Sequence, residues 1–133
     1  MKLNDYVNGR TIARMMYDSG EVDEARKFMA DLKNRCGEYL GIMDRLADSI
    51  DAGNITPDLR DCPFARDAEL YDSALRAAGV FRFTISAAST GLLEFMEAME
   101  FRGWHVTGMT EVFRFRNDFD EHKFPAIIID LGE

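Results

Sequence analysis

The chain has 133 residues and a mass of 15.2 kDa, the size of one domain, and 47% of its residues are apolar, too many for a disordered chain. Its 16 basic and 24 acidic side chains give a formal net charge of -8, which argues against general binding to nucleic acid or to an anionic membrane surface. We therefore expect a single globular domain over residues 1–133.

The sequence also predicts a cellular location. Residues 1–6 lack the apolar stretch of a signal peptide, and no run of about 18 uncharged apolar residues occurs. The two cysteines, Cys36 and Cys62, have neither C-x-x-C spacing nor partner histidines. We expect a cytoplasmic protein with reduced thiols, no membrane span, no cofactor and no metal site.

The first predicted elements are helices. A short helix begins near Asn8 and ends at Gly20. Residues 21–51 carry apolar side chains at alternating spacings of three and four, the heptad pattern of one long helix. The residues of this seam are Val22, Ala25, Met29, Leu32, Cys36, Tyr39, Met43, Leu46 and Ile50.

The length of this helix suggests a partner. At 1.5 Å per residue it would be roughly 46 Å long, whereas a compact domain of this size is about 36 Å across. The helix must therefore bend at Gly37 or Gly41, or project and find cover outside its own subunit. We expect a homodimer or a protein partner on this helix, and the expected contact residues are Met29, Leu32, Tyr39 and Met43.

A further helix is predicted over residues 63–78, with Cys62 at its cap and Pro63 at its first position. A thiol there would meet the positive end of the helix dipole, so Cys62 is a candidate reactive thiol. An unreactive cysteine is the alternative, because aspartates offset the charge of the arginines nearby.

Beyond residue 80 the apolar residues recur at every second position, as in a strand, and no longer at helical spacing. Residues 81–86 alternate like a half-exposed strand, a helix follows at about 90–102, and a second strand covers 104–116, with Gly108 marking a bulge. The apolar run 126–129 predicts a central strand. The fold class is α+β: N-terminal helices (1–79) pack with a small mixed β-α-β-β sheet (80–133), whose first two strands run parallel and whose third returns through a hairpin.

Three arginines form a stripe on this predicted sheet. Arg82, Arg114 and Arg116 alternate with phenylalanines, so the period of two places their guanidinium groups on one face. Such a face suits a carboxylate, a phosphate or a single-stranded nucleic acid. The alternative is pairing across strands with Glu111 or with acidic helices. The polar turn at 117–123 favours a solvated hairpin over a cation site.

No Walker loop, dinucleotide motif, nucleophile elbow or H-E-x-x-H sequence occurs, so we expect no enzyme. The sequence favours a non-enzymatic protein-interaction or regulatory module. One alternative is a binding module for a small anionic ligand or single-stranded nucleic acid, using the arginine stripe. Another is an acidic inhibitor of a nucleic-acid-binding protein.

Overall fold

Five α-helices and a three-stranded sheet make up the part of the chain, residues 1–114 and 122–132, that the computed structural model describes. The helices are α1 (Leu3–Asp18), α2 (Val22–Cys36), α3 (Leu40–Asp51), α4 (Ala68–Ala77) and α5 (Leu92–Glu100). The strands are β1 (Arg82–Ile85), β2 (Trp104–Val112) and β3 (Phe124–Leu131). The α+β class predicted from the sequence is confirmed.

The long helical segment is also confirmed, with 30 residues from α2 through α3. One turn of 3-10 helix, Gly37–Tyr39, interrupts it. Gly37 has φ 56° and ψ -130°, a conformation that glycine adopts far more readily than other residues. Of the two glycines expected to bend this segment, Gly37 is the one that interrupts it.

The apolar seam of α2 is covered by α1 of the same subunit. The two helices approach closely where Gly9 faces Leu32, since a Cβ atom on Gly9 would lie 2.8 Å from Leu32 Cδ2. Leu32 and Met43 are 5% and 2% exposed, and both belong to the core. The prediction that these two residues contact a partner is therefore wrong, because α1 packs on Leu32 and Met43 is buried in the core of the same subunit.

The sheet has the order β1-β3-β2, and β3 is antiparallel to both neighbours. The apolar run of β3 is thus central, as predicted. The strands β1 and β2 run in the same direction, as expected for strands joined by the α5 crossover, but β3 lies between them. A register shift between Val106 and Gly108 confirms the bulge.

An extended segment, residues 57–62, lies parallel to β1, and no strand was predicted there. Isolated bridges join Asp58 to Thr84 and Asp61 to Ala87. Among the described residues, β1, β2 and β3 pair only in antiparallel fashion, and this segment supplies the only parallel pairing. The predicted mixed character of the sheet is therefore due to this segment.

The predicted start of the second helix is wrong. Helix α4 begins at Ala68, after a 3-10 turn over Ala65–Asp67, and Phe64 has extended backbone angles. Cys62 donates its backbone N–H to Ala87 O at 3.2 Å. Its backbone is therefore committed to the edge of β1, and Cys62 does not cap a helix.

The core lies between the helices and one face of the sheet. Phe83 of β1 and Trp104 of β2 meet edge to face, with ring centroids 5.2 Å apart, and both are fully buried. The indole Nε1 of Trp104 donates to Asp72 Oδ1 at 2.8 Å. Among the described residues, no helix is both long enough and apolar enough to cross a bilayer.

Candidate functional site

The predicted arginine stripe does not form one binding face. Arg82 donates from Nε and Nη2 to the two oxygens of Asp130, at 2.5 and 3.0 Å, across the β1–β3 pair. Hydrogen bonds from Arg82 and from the Thr107 hydroxyl lower the pKa of Asp130. Arg82 is thus paired across strands, as the alternative interpretation expected, but its partner is Asp130 and not Glu111 or an acidic helix. Arg116 lies outside the described residues.

Arg114 belongs instead to a cleft of about 310 Å³ beside the end of β1. Three residues of α3 line it, together with residues 58–61 and with Phe113 and Arg114, which follow β2. The lining carries three guanidinium groups, those of Arg45, Arg60 and Arg114. We call this space the arginine cleft.

Arg114 is fixed by Ser86 and by an aromatic ring. Its Nε and Nη2 donate to Ser86 Oγ and Ser86 O, at 3.2 and 2.8 Å. Its guanidinium carbon lies 3.9 Å from the centroid of the Phe124 ring, a cation–π contact. Two of its three donor nitrogens are therefore used, and Nη1 donates to no group of the described residues.

The floor of the arginine cleft contains a buried carboxylate, Asp58, which is 4% exposed. It accepts hydrogen bonds from the hydroxyls of Thr84 and Ser86, at 2.7 and 2.8 Å. Its backbone N–H donates to Ser49 Oγ at 2.7 Å. Since Ser86 also accepts from Arg114, one hydroxyl links the carboxylate to the guanidinium.

Arg60 has φ 65° and is the one non-glycine residue with positive φ in residues 1–114 and 122–132. Hydrogen bonds to β1 hold this conformation, with Ala87 N donating to Arg60 O at 2.7 Å and Leu59 N donating to Thr84 O at 2.9 Å. Such strain often accompanies functional sites.

Arg45 lies on α3 and donates from Nη1 to the Tyr71 hydroxyl at 3.0 Å. Its Nη2 is 3.8 Å from Asp61 Oδ2, a loose pair between two exposed side chains. Asp48, on the same helix, pairs with Arg10 at 2.7 Å instead. Within the arginine cleft, Asp61 is therefore the carboxylate most easily displaced from its arginine.

A second surface feature is an apolar groove of about 320 Å³ between α1 and α2. Ala13, Tyr17, Ala25 and Met29 line it, and three arginines stand along it. Arg10 is occupied by ion pairs with α3. Arg14 and Arg26 are exposed, and neither makes an ion pair or hydrogen bond with any described residue.

The exposed face of α5 has the opposite charge. Leu93 and Phe101 are 81% and 91% exposed. Three glutamates of α5, Glu94, Glu97 and Glu100, are also exposed. Residues three, four or seven apart lie on one side of a helix, so residues 93, 97 and 100 and residues 94, 97 and 101 form two adjoining rows. Glu100 lies 3.9 Å from His105 Nδ1, while Glu94 and Glu97 make no ion pair with a described residue.

The expected interaction residues therefore have different environments. Met29 lines the α1–α2 groove and is half-buried. Tyr39 is half-buried and lines a separate hollow beside Cys36. With Leu32 and Met43 in the core, Met29 and Tyr39 are the members of the set that reach a surface, and Met29 is the one in the α1–α2 groove.

Both cysteines are free thiols. Burial raises the pKa of Cys62, although a hydrogen bond with Ser89 opposes this shift. Burial also raises the pKa of Cys36. The helix-dipole argument for an activated Cys62 is therefore wrong, because no helix begins there. No group of three or more histidine, cysteine or acidic side chains could hold a metal in the described part of the chain.

Comparison with known proteins gives one match. No curated protein and no solved structure matches the chain. A family model described as a domain of unknown function, DUF7698, matches residues 42–131. This segment begins in α3 and contains every residue that lines the arginine cleft, as well as α5, whereas α1 and α2 precede it. The chain therefore belongs to the DUF7698 family.

Proposed function

We propose that the protein is a non-enzymatic interaction module whose partner is a second copy of itself. In the proposed contact, the acidic face of α5 in one subunit lies in the α1–α2 groove of the other. The observation that carries this proposal is that two surfaces of opposite charge, the α1–α2 groove and the outer face of α5, each expose apolar side chains in the part of the chain that the structure describes. The two free thiols support the cytoplasmic location that we propose with it.

The charge distribution along the chain supports this pairing. Residues 1–36 carry seven basic and six acidic side chains, whereas residues 37–133 carry nine basic and eighteen acidic ones. The helical hairpin α1–α2 is thus slightly positive while the rest of the molecule is strongly negative. Electrostatic attraction between the hairpin of one copy and the body of another would orient the encounter.

The apolar groups give the contact its free energy. Full burial of a Leu or Phe side chain contributes about 1.5–3 kcal/mol. A reciprocal contact would bury Leu93 and Phe101 twice, for about 6–12 kcal/mol before the cost of association, which is at least about 4 kcal/mol. This leaves at most about 2–8 kcal/mol, and only the upper end of that range corresponds to a dissociation constant near 1 μM. Because the charge attraction between the two surfaces adds to it, we expect a dissociation constant of about 1–500 μM.

We propose that the pair is closed by a twofold axis. Each subunit carries one groove and one acidic face, so a twofold axis would let two copies make both contacts, whereas any other arrangement would give an open chain of subunits and a mass above that of a dimer. The dimer that we expected from the heptad seam is thereby proposed at a different surface, and Met29 is its one contact residue from the original set.

Charge reversal tests this proposal. Arg26→Glu places like charge opposite the acidic face, and Glu97→Lys does the same opposite the groove. Each variant alone should be monomeric under conditions in which the wild type dimerises, with at least about tenfold weaker association, because both copies of the contact are affected. An equimolar mixture of the two variants should dimerise again, since one contact is then native and the other has its charges exchanged. Light scattering after gel filtration, over roughly 10–500 μM protein, measures the mass.

Lys27→Glu is the matched control, because it makes the same charge change on the exposed surface of α2 without lining the groove. It should dimerise like the wild type. A wild-type mass near 15 kDa throughout this range would reject self-association. A dimer that persists in both single variants would place the interface elsewhere.

A further inference from the structure

We infer that the arginine cleft binds a small oxyanion, a carboxylate or a phosphate. This site differs from the arginine stripe expected on the sheet, since Arg82 is not part of it, and it is separate from the groove and the α5 face of the proposed dimer. The chemistry rests on three guanidinium groups that line one cavity. Guanidinium forks match the paired oxygens of carboxylate and phosphate groups.

The position of Arg114 supports this inference. Ser86 and the Phe124 ring hold its guanidinium at the cleft, and its remaining nitrogen, Nη1, has no acceptor in the described residues. The site is thus prepared before a ligand arrives, because little side-chain freedom remains to be lost on binding.

The second arginine is held by its backbone. Arg60 has a left-handed backbone conformation, and hydrogen bonds flank it: Leu59 N donates to Thr84 O of β1, and Ala87 N, beyond the end of β1, donates to Arg60 O. A glycine would adopt this conformation without strain. The strained residue is one of the three arginines that line the cavity, and backbone strain clusters at ligand-binding sites.

The acidic residues of the cleft do not exclude an anion. Both oxygens of Asp58 accept hydroxyl hydrogen bonds, and the carboxylate is almost closed to solvent. Asp48 pairs with Arg10. Among the described acidic residues of the cleft, Asp61 competes directly, because it lies 3.8 Å from Arg45 and is exposed. An incoming oxyanion would take the place of Asp61 beside Arg45.

The size of the cavity limits the ligand. A volume of about 310 Å³ is at the small end of ligand pockets. An inorganic phosphate or a short dicarboxylate fits this description, and the anionic group of a metabolite would enter in the same way.

The test is a titration with two probes, inorganic phosphate and succinate, at constant ionic strength set with sodium chloride. Backbone amide NMR shifts of the wild type report binding. We expect saturable shifts at the arginine cleft for at least one probe, and the probe that binds more tightly identifies the kind of oxyanion. Affinity should fall as the salt concentration rises.

Three variants separate binding from folding. Arg60→Gly removes a guanidinium and relieves the strained backbone, so the protein should fold and bind at least about tenfold more weakly. Arg114→Gln should weaken binding to a similar extent. Asp61→Asn should strengthen binding severalfold, because the competing carboxylate is neutralised.

Arg82→Gln is the matched control and should leave the affinity unchanged, since Arg82 pairs with Asp130 away from the cleft. The inference is overturned if neither probe gives saturable shifts, or if Arg60→Gly binds as tightly as the wild type. The anion-binding test does not depend on whether the proposed dimer forms, because Arg26 and Glu97, the residues reversed in the dimer test, do not line the cleft.

Discussion

Asn54 should be the residue whose loss most damages the arginine cleft without lining it. Its Nδ2 donates to Phe113 O at 2.7 Å, and Phe113 N donates to its Oδ1 at 2.9 Å. The same Nδ2 also reaches Ser49 O and Oγ, at 3.2 and 3.1 Å. The amide thus pairs with the backbone after β2 as a neighbouring strand would, and it positions Arg114 beside the cleft.

The magnitude follows from these bonds. Asn54→Ala leaves the backbone N–H and C=O of Phe113 without their partners and removes the link to Ser49. In a half-buried environment each lost bond costs about 1 kcal/mol. We expect the free energy of unfolding to fall by about 2–3 kcal/mol, and the melting temperature by roughly 6–12 °C for a domain of this size.

Urea unfolding measures this change, with circular dichroism and the fluorescence of the single tryptophan, the buried Trp104, as probes. Asn34→Ala makes the same substitution at an exposed position of α2 with no side-chain hydrogen bond in the described residues, and should stay within about 0.5 kcal/mol of the wild type. The reasoning is refuted if Asn54→Ala is equally neutral. If the cleft binds an oxyanion, the folded Asn54→Ala protein should also bind it more weakly.

Three further predictions concern single sites. Brief alkylation of the native protein should modify Cys62 faster than the buried Cys36. Both thiols should react more slowly than a free thiol at pH 8, because burial raises both pKa values. Mass spectrometry of the peptides measures the two rates, and faster modification of Cys36 would contradict the prediction. Arg82→Gln should leave the free energy of unfolding at pH 7 almost unchanged, since Arg82 is exposed and solvent screens its pair with Asp130. The pKa of Asp130 is lowered in the folded state, so the contribution of the pair to stability is present above the ordinary carboxyl pKa of 3.8 and is lost as the pH falls below it. Urea unfolding of the wild type and of Arg82→Gln should therefore give the same stability at low pH. A difference between the two proteins that grows in acid would refute this assignment. Gly9→Leu should destabilise by roughly 1–3 kcal/mol in thermal unfolding because Leu32 occupies the space, whereas equal stability would show that α1 and α2 separate easily.

The spacing of apolar residues predicted the helices and strands whose pattern is set by residues close together in the sequence. The heptad pattern of 21–51 became α2 and α3, and the apolar run of 126–129 became the central strand. The same pattern did not identify which seam residues reach the surface, because periodicity shows that a seam is covered but not whether the cover is α1 or another subunit.

The arginine cleft was beyond this kind of reasoning. Arg45, Asp58, Arg60 and Arg114 come from separate parts of the chain and meet only in the folded molecule. The alternation that placed Arg114 on a sheet face was extended past the end of β2, which the structure places at Val112. Beyond that residue the chain is held by Asn54, so the period of two no longer predicts the direction of a side chain.

Residues 57–62 were missed for a related reason. The segment lacks the alternation of a strand and makes only two bridges to β1. Pro63 then suggested a helix start, although proline also suits the end of an extended segment. The signal that could have found the segment is the apolar Leu59, which is 1% exposed between polar neighbours.

The position of β3 has a consequence for how the protein is made. Both β1 and β2 emerge from the ribosome before β3, yet neither has its neighbour in the sheet until β3 arrives between them. For that interval two strand edges are unpaired, and unpaired edges are where chains associate wrongly. The helical hairpin α1–α2, whose contacts are local, can form early, whereas the sheet assembles only once its last strand has been synthesised. Premature termination before residue 124 would therefore leave a folded hairpin attached to an aggregation-prone remainder.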